Sequence, residues 1–382
     1  MNGHNTSSGS SEIVFNVTKI DSNSAPFFSG REGQVACSVA QKVFIFGGVE
    51  QGLGDEPKEL NDLIVFDLDT SKWSSIKAKG TIPPARSASS LVAVGTKLYL
   101  FGGLSHISGW FDDLFVYDTG MFLSFNVHIY MCFLILCPPL LEQLDIEESL
   151  IALGEKTKRS KNYIYSKIQF LYDDDEEFED IPESKEQEGA EFGWFNDLFV
   201  LDTETLKWSQ PMQMNLGVPT QRAAHGMCAI GRDLVIFGGR DIEDRQNDLH
   251  IFNVDSRKWQ IDMKTEGLVP GARSFHTLTA FGNKAVLFGG RGRDNQHFDT
   301  FDVFDIEQKR WIPVKIEGDK PAGRGQHCAV PVGDSLFVFG GSGNFSPETM
   351  QCHKFFTDAF LVKAGENLHK DCILILSKFA AV

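Results

Sequence analysis

Apolar runs that stop at a glycine pair recur along the chain. They read Phe44-Ile-Phe-Gly47-Gly48, Tyr99-Leu-Phe-Gly102-Gly103, Val235-Ile-Phe-Gly238-Gly239, Val286-Leu-Phe-Gly289-Gly290 and Phe337-Val-Phe-Gly340-Gly341. Runs this short, apolar and glycine-bounded predict buried strands rather than helices. Their first glycines lie 55, 136, 51 and 51 residues apart, which sets the repeat length and marks one irregular interval. Each unit predicts three further strands. A small-residue strand precedes the glycine pair, as in His225 to Ile230 and His276 to Ala280. An (Asn/Asp)-Asp-Leu strand follows it at Asn61, Asp112, Asn196 and Asn247. A tryptophan strand closes the unit at Trp73, Trp208, Trp259 and Trp311.

Four short strands in a period of about 50 residues describe a propeller blade. The glycine pairs suit tight turns near the propeller axis, and the tryptophans read as apolar plugs between blades. The repeats resemble those of the kelch family. That resemblance implies an all-β, six-bladed kelch β-propeller over residues 12–363, with one degenerate blade carrying a large insertion. The last unit has three strands in its own register, His327 to Val330, Leu336 to Phe339 and Asp358 to Val362. The strand from Glu12 to Ile20 is expected to supply its fourth and close the ring, removing two sheet edges. Residues 120–192 replace the first half of blade 3, as a true insertion or as an unspliced or misassembled segment of the gene. Within it, Met121 to Cys137 is almost wholly apolar, but Pro138-Pro139 and a place inside a propeller argue against a membrane span. Residues 142–161 suit a helix, and 173–191 an acidic solvated tract. Residues 1–11 read as a disordered tail and 364–382 as a short C-terminal helical segment.

Composition narrows the function. The net charge of −16 argues against a nucleic-acid surface, which needs clustered lysine and arginine. The tract 173–191 alone carries eleven acids and one lysine, leaving the remainder mildly acidic. Seven cysteines without a CxxC pair fit a reduced intracellular protein, cytoplasmic or nuclear. The polar N-terminus is no secretory signal. No metal-ligand spacing or catalytic constellation stands out, so neither an enzyme nor a cofactor is expected. The histidines His225, His276 and His327 repeat with the blades and read as structural.

Arginine precedes the first strand of several blades, at Arg86, Arg222, Arg273 and Arg324. A repeated position reads as structural, with the side chain bridging neighbouring blades. Arg240 and Arg245 differ, because they share one loop after a glycine pair, where a propeller opens onto its channel. Ser274 begins the next blade at the same end, and Arg291 and Arg293 occupy the equivalent loop one blade on. Guanidinium groups gathered there suit an anion, a carboxylate above all. The competing reading is a solvated loop in which Asp241, Glu243 and Asp244 pair with the arginines.

Residues 193–276 resemble one branch of the kelch family, the substrate receptors of cullin-2 ubiquitin ligases that read the C-terminal tails of proteins. The resemblance rests on Asn196-Asp, Leu201-Asp-Thr-Glu-Thr, Trp208-Ser-Gln-Pro, Arg222-Ala-Ala-His225, Phe237-Gly-Gly-Arg240, Arg245-Gln-Asn-Asp-Leu-His250 and Arg273-Ser-Phe-His276. It implies that a diglycine-type tail binds at the top of the propeller, its carboxylate on Arg240, Arg245 and Ser274. Trp194, Phe195, Arg291 and Arg293 would line the pocket. Phe195 stands where the family has tryptophan, and Leu104 where it has an aromatic. Leu368, Cys372 and Leu376 lie at i, i+4 and i+8, similar to the elongin-binding box of these receptors. That spacing also suits an ordinary amphipathic helix. The implied partners are client tails, elongins B and C and cullin-2. A plain kelch scaffold, of small-GTPase-effector or cytoskeletal type, is the alternative.

Overall fold

The computed structural model describes residues 12–21, 29–52, 57–127, 134–135, 149–154, 194–214 and 217–365. Among the described residues all regular structure is β, and six sheets of four or five strands succeed one another. Blade 1 comprises Val35–Val39, Lys42–Phe46, Leu63–Asp67 and Lys72–Ile76. Blade 2 comprises Ser90–Val94, Lys97–Phe101, Leu114–Asp118 and Leu123–Val127. Blade 3 holds Leu134–Ile135, Ser149–Gly154, Asp197–Asp202 and Lys207–Ser209. Blade 4 holds Gly226–Ile230, Asp233–Arg240, Arg245–Asn253 and Lys258–Gln260. Blade 5 holds Thr277–Phe281, Lys284–Phe288, Phe301–Asp305 and Arg310–Ile312. Blade 6 takes Cys328–Val332, Ser335–Phe339 and Ala359–Ala364, with Ile13–Ile20 outside them.

The apolar cores lie between blades. Val235 and Phe237 of blade 4 meet Leu278 and Leu287 of blade 5, and Phe288 of blade 5 meets Val338 of blade 6. Phe337 of blade 6 meets Ile45 and Phe66 of blade 1, so the ring closes. Closure comes from the N-terminus, as expected: Val17 pairs antiparallel with Val362. On its outer side the same strand also pairs parallel with Val314–Gly318, which the repeat pattern did not indicate.

The repeated arginines act otherwise than the sequence suggests. Each side chain staples its own blade through the carbonyl of the first glycine of the pair; Arg86, Arg222 and Arg324 also grip the aspartate that precedes the apolar part of the next strand, whereas Arg273 lies 3.5 Å from Asp302 within it. Arg222 donates to Gly238 O at 2.8 Å and to both Asp248 oxygens at 2.6 and 2.7 Å. Arg324 reaches Gly340 O at 2.9 Å and Asp358 at 2.7 Å. Arg31, which the sequence pattern did not single out, does the same with Gly47 and Asp62. A guanidinium fork turned toward its own sheet satisfies a buried glycine carbonyl whose ladder the turn has interrupted. Links between blades run through the main chain and the asparagines. Gly48 N–H donates to Arg86 O at 2.9 Å, and Asn247 donates to Pro270 O of the next blade at 3.2 Å.

The tryptophans plug the ring as expected. Trp311 packs on Phe237 of the preceding blade at 5.1 Å between centroids, and Trp208 on Phe101 at 5.3 Å. In register, tryptophan stands opposite Phe66, Leu201, Phe252 and Phe304, but Ser124 stands opposite Tyr117 of blade 2. A cavity of about 430 Å³ opens there between blades 1 and 2, lined by Phe46, Leu63, Leu100, Phe115, Tyr117 and Ser124 among others.

Two boundaries of the middle segment change. Leu123–Val127 completes blade 2 by pairing with Leu114–Asp118, so the blade does not end at Asp118. Ser149–Gly154 is a strand on Asp197–Asp202 where a helix was expected, because that inner edge needs a partner for its backbone groups. No helix of the described residues is long and apolar enough to cross a membrane. The tail 1–11, the acidic tract 173–191, the C-terminal helix and its box of Leu368, Cys372 and Leu376 lie outside the described residues.

Candidate functional site

At one end of the ring, blades 1, 2, 4, 5 and 6 carry a small ribbon above the glycine pair. The residue after the staple arginine faces the residue after the glycines. Glu32 faces Val49, Ser87 faces Leu104, Ala223 faces Arg240, Ser274 faces Arg291 and Gly325 faces Ser342. These ten positions form an annulus around the channel mouth. Beneath it, the next residue of each inner turn takes positive φ, as at Phe275 (60°) and Gln326 (53°). The turns join blade to blade, since Gln326 N–H donates to Phe275 O at 3.0 Å and Gly33 N–H to Gln326 O at 2.9 Å. The annulus therefore sits on a hydrogen-bonded backbone hoop.

Arg240 and Arg245 close a four-residue turn and are direct cross-strand partners beyond a bulge at the glycine pair. Opposed residues of an antiparallel pair project from the same face, so like charges there repel. Burial first, and Arg245 next, lower the Arg240 pKa. The turn is fixed by Asp241, which accepts from the Glu243 and Asp244 N–H groups, from Gln246 and from Thr220. Asp244 pairs with Arg293 at 2.9 Å. These two loop acids hold the turn and also act on the arginines, Asp241 and Asp244 on Arg240 and Asp244 on Arg245. Arg245 is buried and its Nε–H donates to Ser274 Oγ at 3.0 Å, across the boundary to blade 5. Two guanidinium groups held side by side, one oriented by a hydroxyl, have the donor geometry to meet an anion with two oxygens.

The other expected lining residues separate. Arg293 is exposed and grips the Arg245 carbonyl at 2.9 and 3.1 Å, so it braces the turn from outside. Arg291 is buried, its guanidinium 3.9 Å over the Phe345 ring. Trp194 and Phe195 are half-buried, and the Phe195 carbonyl accepts from the Arg222 N–H at 3.4 Å. Sequence reasoning missed His297, which bridges to Arg291. Burial, Arg291 and Arg245 push its pKa down to about 4, which leaves the ring neutral. It also missed Glu32 and Ser342. Glu32 is hard to place in the sequence because Gln34 stands where blades 4, 5 and 6 carry histidine. The replacement keeps the contact: Gln34 Nε2 donates to Phe339 O at 2.9 Å, as His276 Nε2 meets Phe237 O at 3.0 Å. Among the described residues no group of three or more His, Cys, Asp or Glu is placed to hold a metal ion.

Residues 13–128 and 185–361 match the family described as KLHDC2/KLHL20/DRC7 Kelch-repeats domain. The chain belongs to this kelch-repeat family. It is 30% identical over 326 residues to Kelch domain-containing protein 2 of Bos taurus, covering 82% of this chain and 76% of that one. It is equally 30% identical over 330 residues to Kelch domain-containing protein 1 of Mus musculus, covering 82% and 75%. Host cell factor of Drosophila melanogaster is 26% identical over 342 residues, which cover only 21% of that protein. The kelch ring and its relatives support a protein-binding role.

Proposed function

We propose that this chain is the substrate-recognition subunit of a cullin-RING ubiquitin ligase and binds the C-terminal tail of its clients at the channel mouth. The observation that carries the reading is the cross-strand pair of Arg240 and Arg245, with Arg245 tied to Ser274. A terminal carboxylate offers two oxygens on one carbon, the geometry that paired guanidinium groups hold. A diglycine-type end suits a mouth walled by buried residues, because it brings no side chains into it. The motif resemblance in 193–276 points to the same class of ligand. In this reading Leu368, Cys372 and Leu376 recruit elongins B and C, and through them cullin-2. The residues themselves catalyse nothing; ubiquitin transfer belongs to other subunits.

The test is binding of a fluorescent peptide ending in Gly-Gly to the wild type, to Arg240→Ala and to Arg245→Ala. Loss of affinity in both variants, with unchanged thermal stability, supports the reading. Equal binding by all three favours a kelch scaffold that uses another surface.

A further inference from the structure

Glu32 plays no part in the carboxylate grip. It stands on blade 1 at the annulus position that Ser274 takes on blade 5, directly after its staple arginine. Of the ten annulus residues, only Glu32, Ala223 and Arg240 are not fully buried. Ala223 has no polar side chain. Among these described positions the ionisable side chains that keep some exposure are Glu32 on blade 1 and Arg240 on blade 4. Those blades lie opposite each other, three steps apart in either direction round the ring of six sheets.

One oxygen of the Glu32 carboxylate is left without a donor. Burial raises its pKa, opposed by the Ser342 hydroxyl and by Arg291. Its Oε2 is sealed from solvent and has no hydrogen-bond partner. Arg291 lies with its guanidinium 3.9 Å over the Phe345 ring and is near enough to Glu32 to favour its charged form. A buried carboxylate oxygen without a donor is costly, and such groups in native proteins point to a partner that arrives later. The partner that best offsets the burial of a carboxylate is a cation, since a neutral N–H returns less.

We propose that Glu32 forms a second subsite of the channel mouth, which takes a lysine or arginine side chain of the tail held by Arg240 and Arg245. This rests on the tail-binding reading above. The mouth then reads a tail by two charges of opposite sign, its terminal carboxylate at blades 4 and 5 and a basic residue shortly before it at blade 1. An acidic residue at that place in the tail meets repulsion from Glu32, so the same group also rejects the wrong client.

The test is a panel of peptides ending in Gly-Gly, as free acids, with lysine placed in turn at the third to sixth position from the end. Each has a norleucine counterpart of matched length. Affinities are measured for the wild type and for Glu32→Gln, with Glu32→Ser as a second variant because serine stands at that position in blades 2 and 5. The expected result is one position at which the wild type prefers lysine about tenfold or more. Both variants should reduce that preference to near unity without weakening the norleucine peptides. No lysine preference at any position, or one that survives both substitutions, overturns the subsite while leaving the carboxylate grip intact. No binding of any free-acid peptide overturns the tail reading and the subsite with it.

Discussion

Arg245 Nε–H meets Ser274 Oγ at 3.0 Å, and the two residues belong to different blades. The hydroxyl fixes one face of a guanidinium that is buried beside a second cation. Ser274→Ala should therefore weaken tail binding without opening the ring. The expected loss is about 1–1.5 kcal/mol, the net worth of one such hydrogen bond, or roughly tenfold in Kd. Isothermal titration beside a thermal melt separates the two effects.

The staple arginines carry stability instead of binding. Arg324 is fully buried and joins Gly340 O to Asp358. Arg324→Ala leaves a carboxylate and a carbonyl without their donor, and should cost about 3–5 kcal/mol in urea unfolding. Arg324→Lys should recover only part of this, because one compact ammonium cannot span the separate acceptors that the planar guanidinium reaches.

The cavity between blades 1 and 2 marks the place of an absent tryptophan. Ser124→Trp puts the indole against Phe46, Leu63 and Leu100, as Trp311 sits against Phe237. Filling the space should stabilise the ring by roughly 1–3 kcal/mol. A rise in Tm of several degrees in scanning calorimetry checks it, and a fall would mean that the site cannot accept the ring.

Acid sensitivity should come from the buried histidines of the first strands. Burial, then Arg222, lowers the His225 pKa to about 4, and burial, then Arg273, lowers that of His276 to about 3. His327 shifts the same way, with burial as the main cause. These rings stay neutral in the fold while the unfolded chain takes up protons below its ordinary value of about 6.5. Their contribution to stability is thus intact above that pH and is lost as pH falls toward 4 and 3, by up to about 1.4 kcal/mol per pH unit for each ring. Glu32, shifted upward, works in the opposite direction. His276→Gln should keep the contact to Phe237 O, as Gln34 keeps its own to Phe339 O, and flatten the acid limb of denaturation midpoint against pH.

Much of this was legible in the sequence because repetition amplifies weak signals. Five Phe-Gly-Gly runs disclosed the blades, and the unpartnered strand before residue 21 disclosed the closure. Arg240 and Arg245 stood out because no other blade pairs two arginines at that spacing. What stayed hidden depended on contacts between distant segments. The aim of each staple arginine depends on an aspartate some 26 to 34 residues later, as for Arg222 with Asp248 and Arg324 with Asp358. Glu32 escaped notice because its repeat carries Gln34 in place of histidine. Ser124 escaped because the tryptophan it replaces is missing from a segment whose composition suggested no strand. In the described part of the helix expected over 142–161, Ser149–Gly154, a strand forms for a related reason. A local pattern competed with the demand of the Asp197–Asp202 edge for a neighbour, and the edge won.

The central claim is that the mouth binds a terminal carboxylate. Two peptides of one sequence ending in Gly-Gly, one a free acid and the other a C-terminal amide, differ only in the charge that Arg240 and Arg245 are placed to hold. The account predicts that the amide binds more weakly by about 2–5 kcal/mol, at least thirtyfold in Kd. Equal affinity for acid and amide would contradict it.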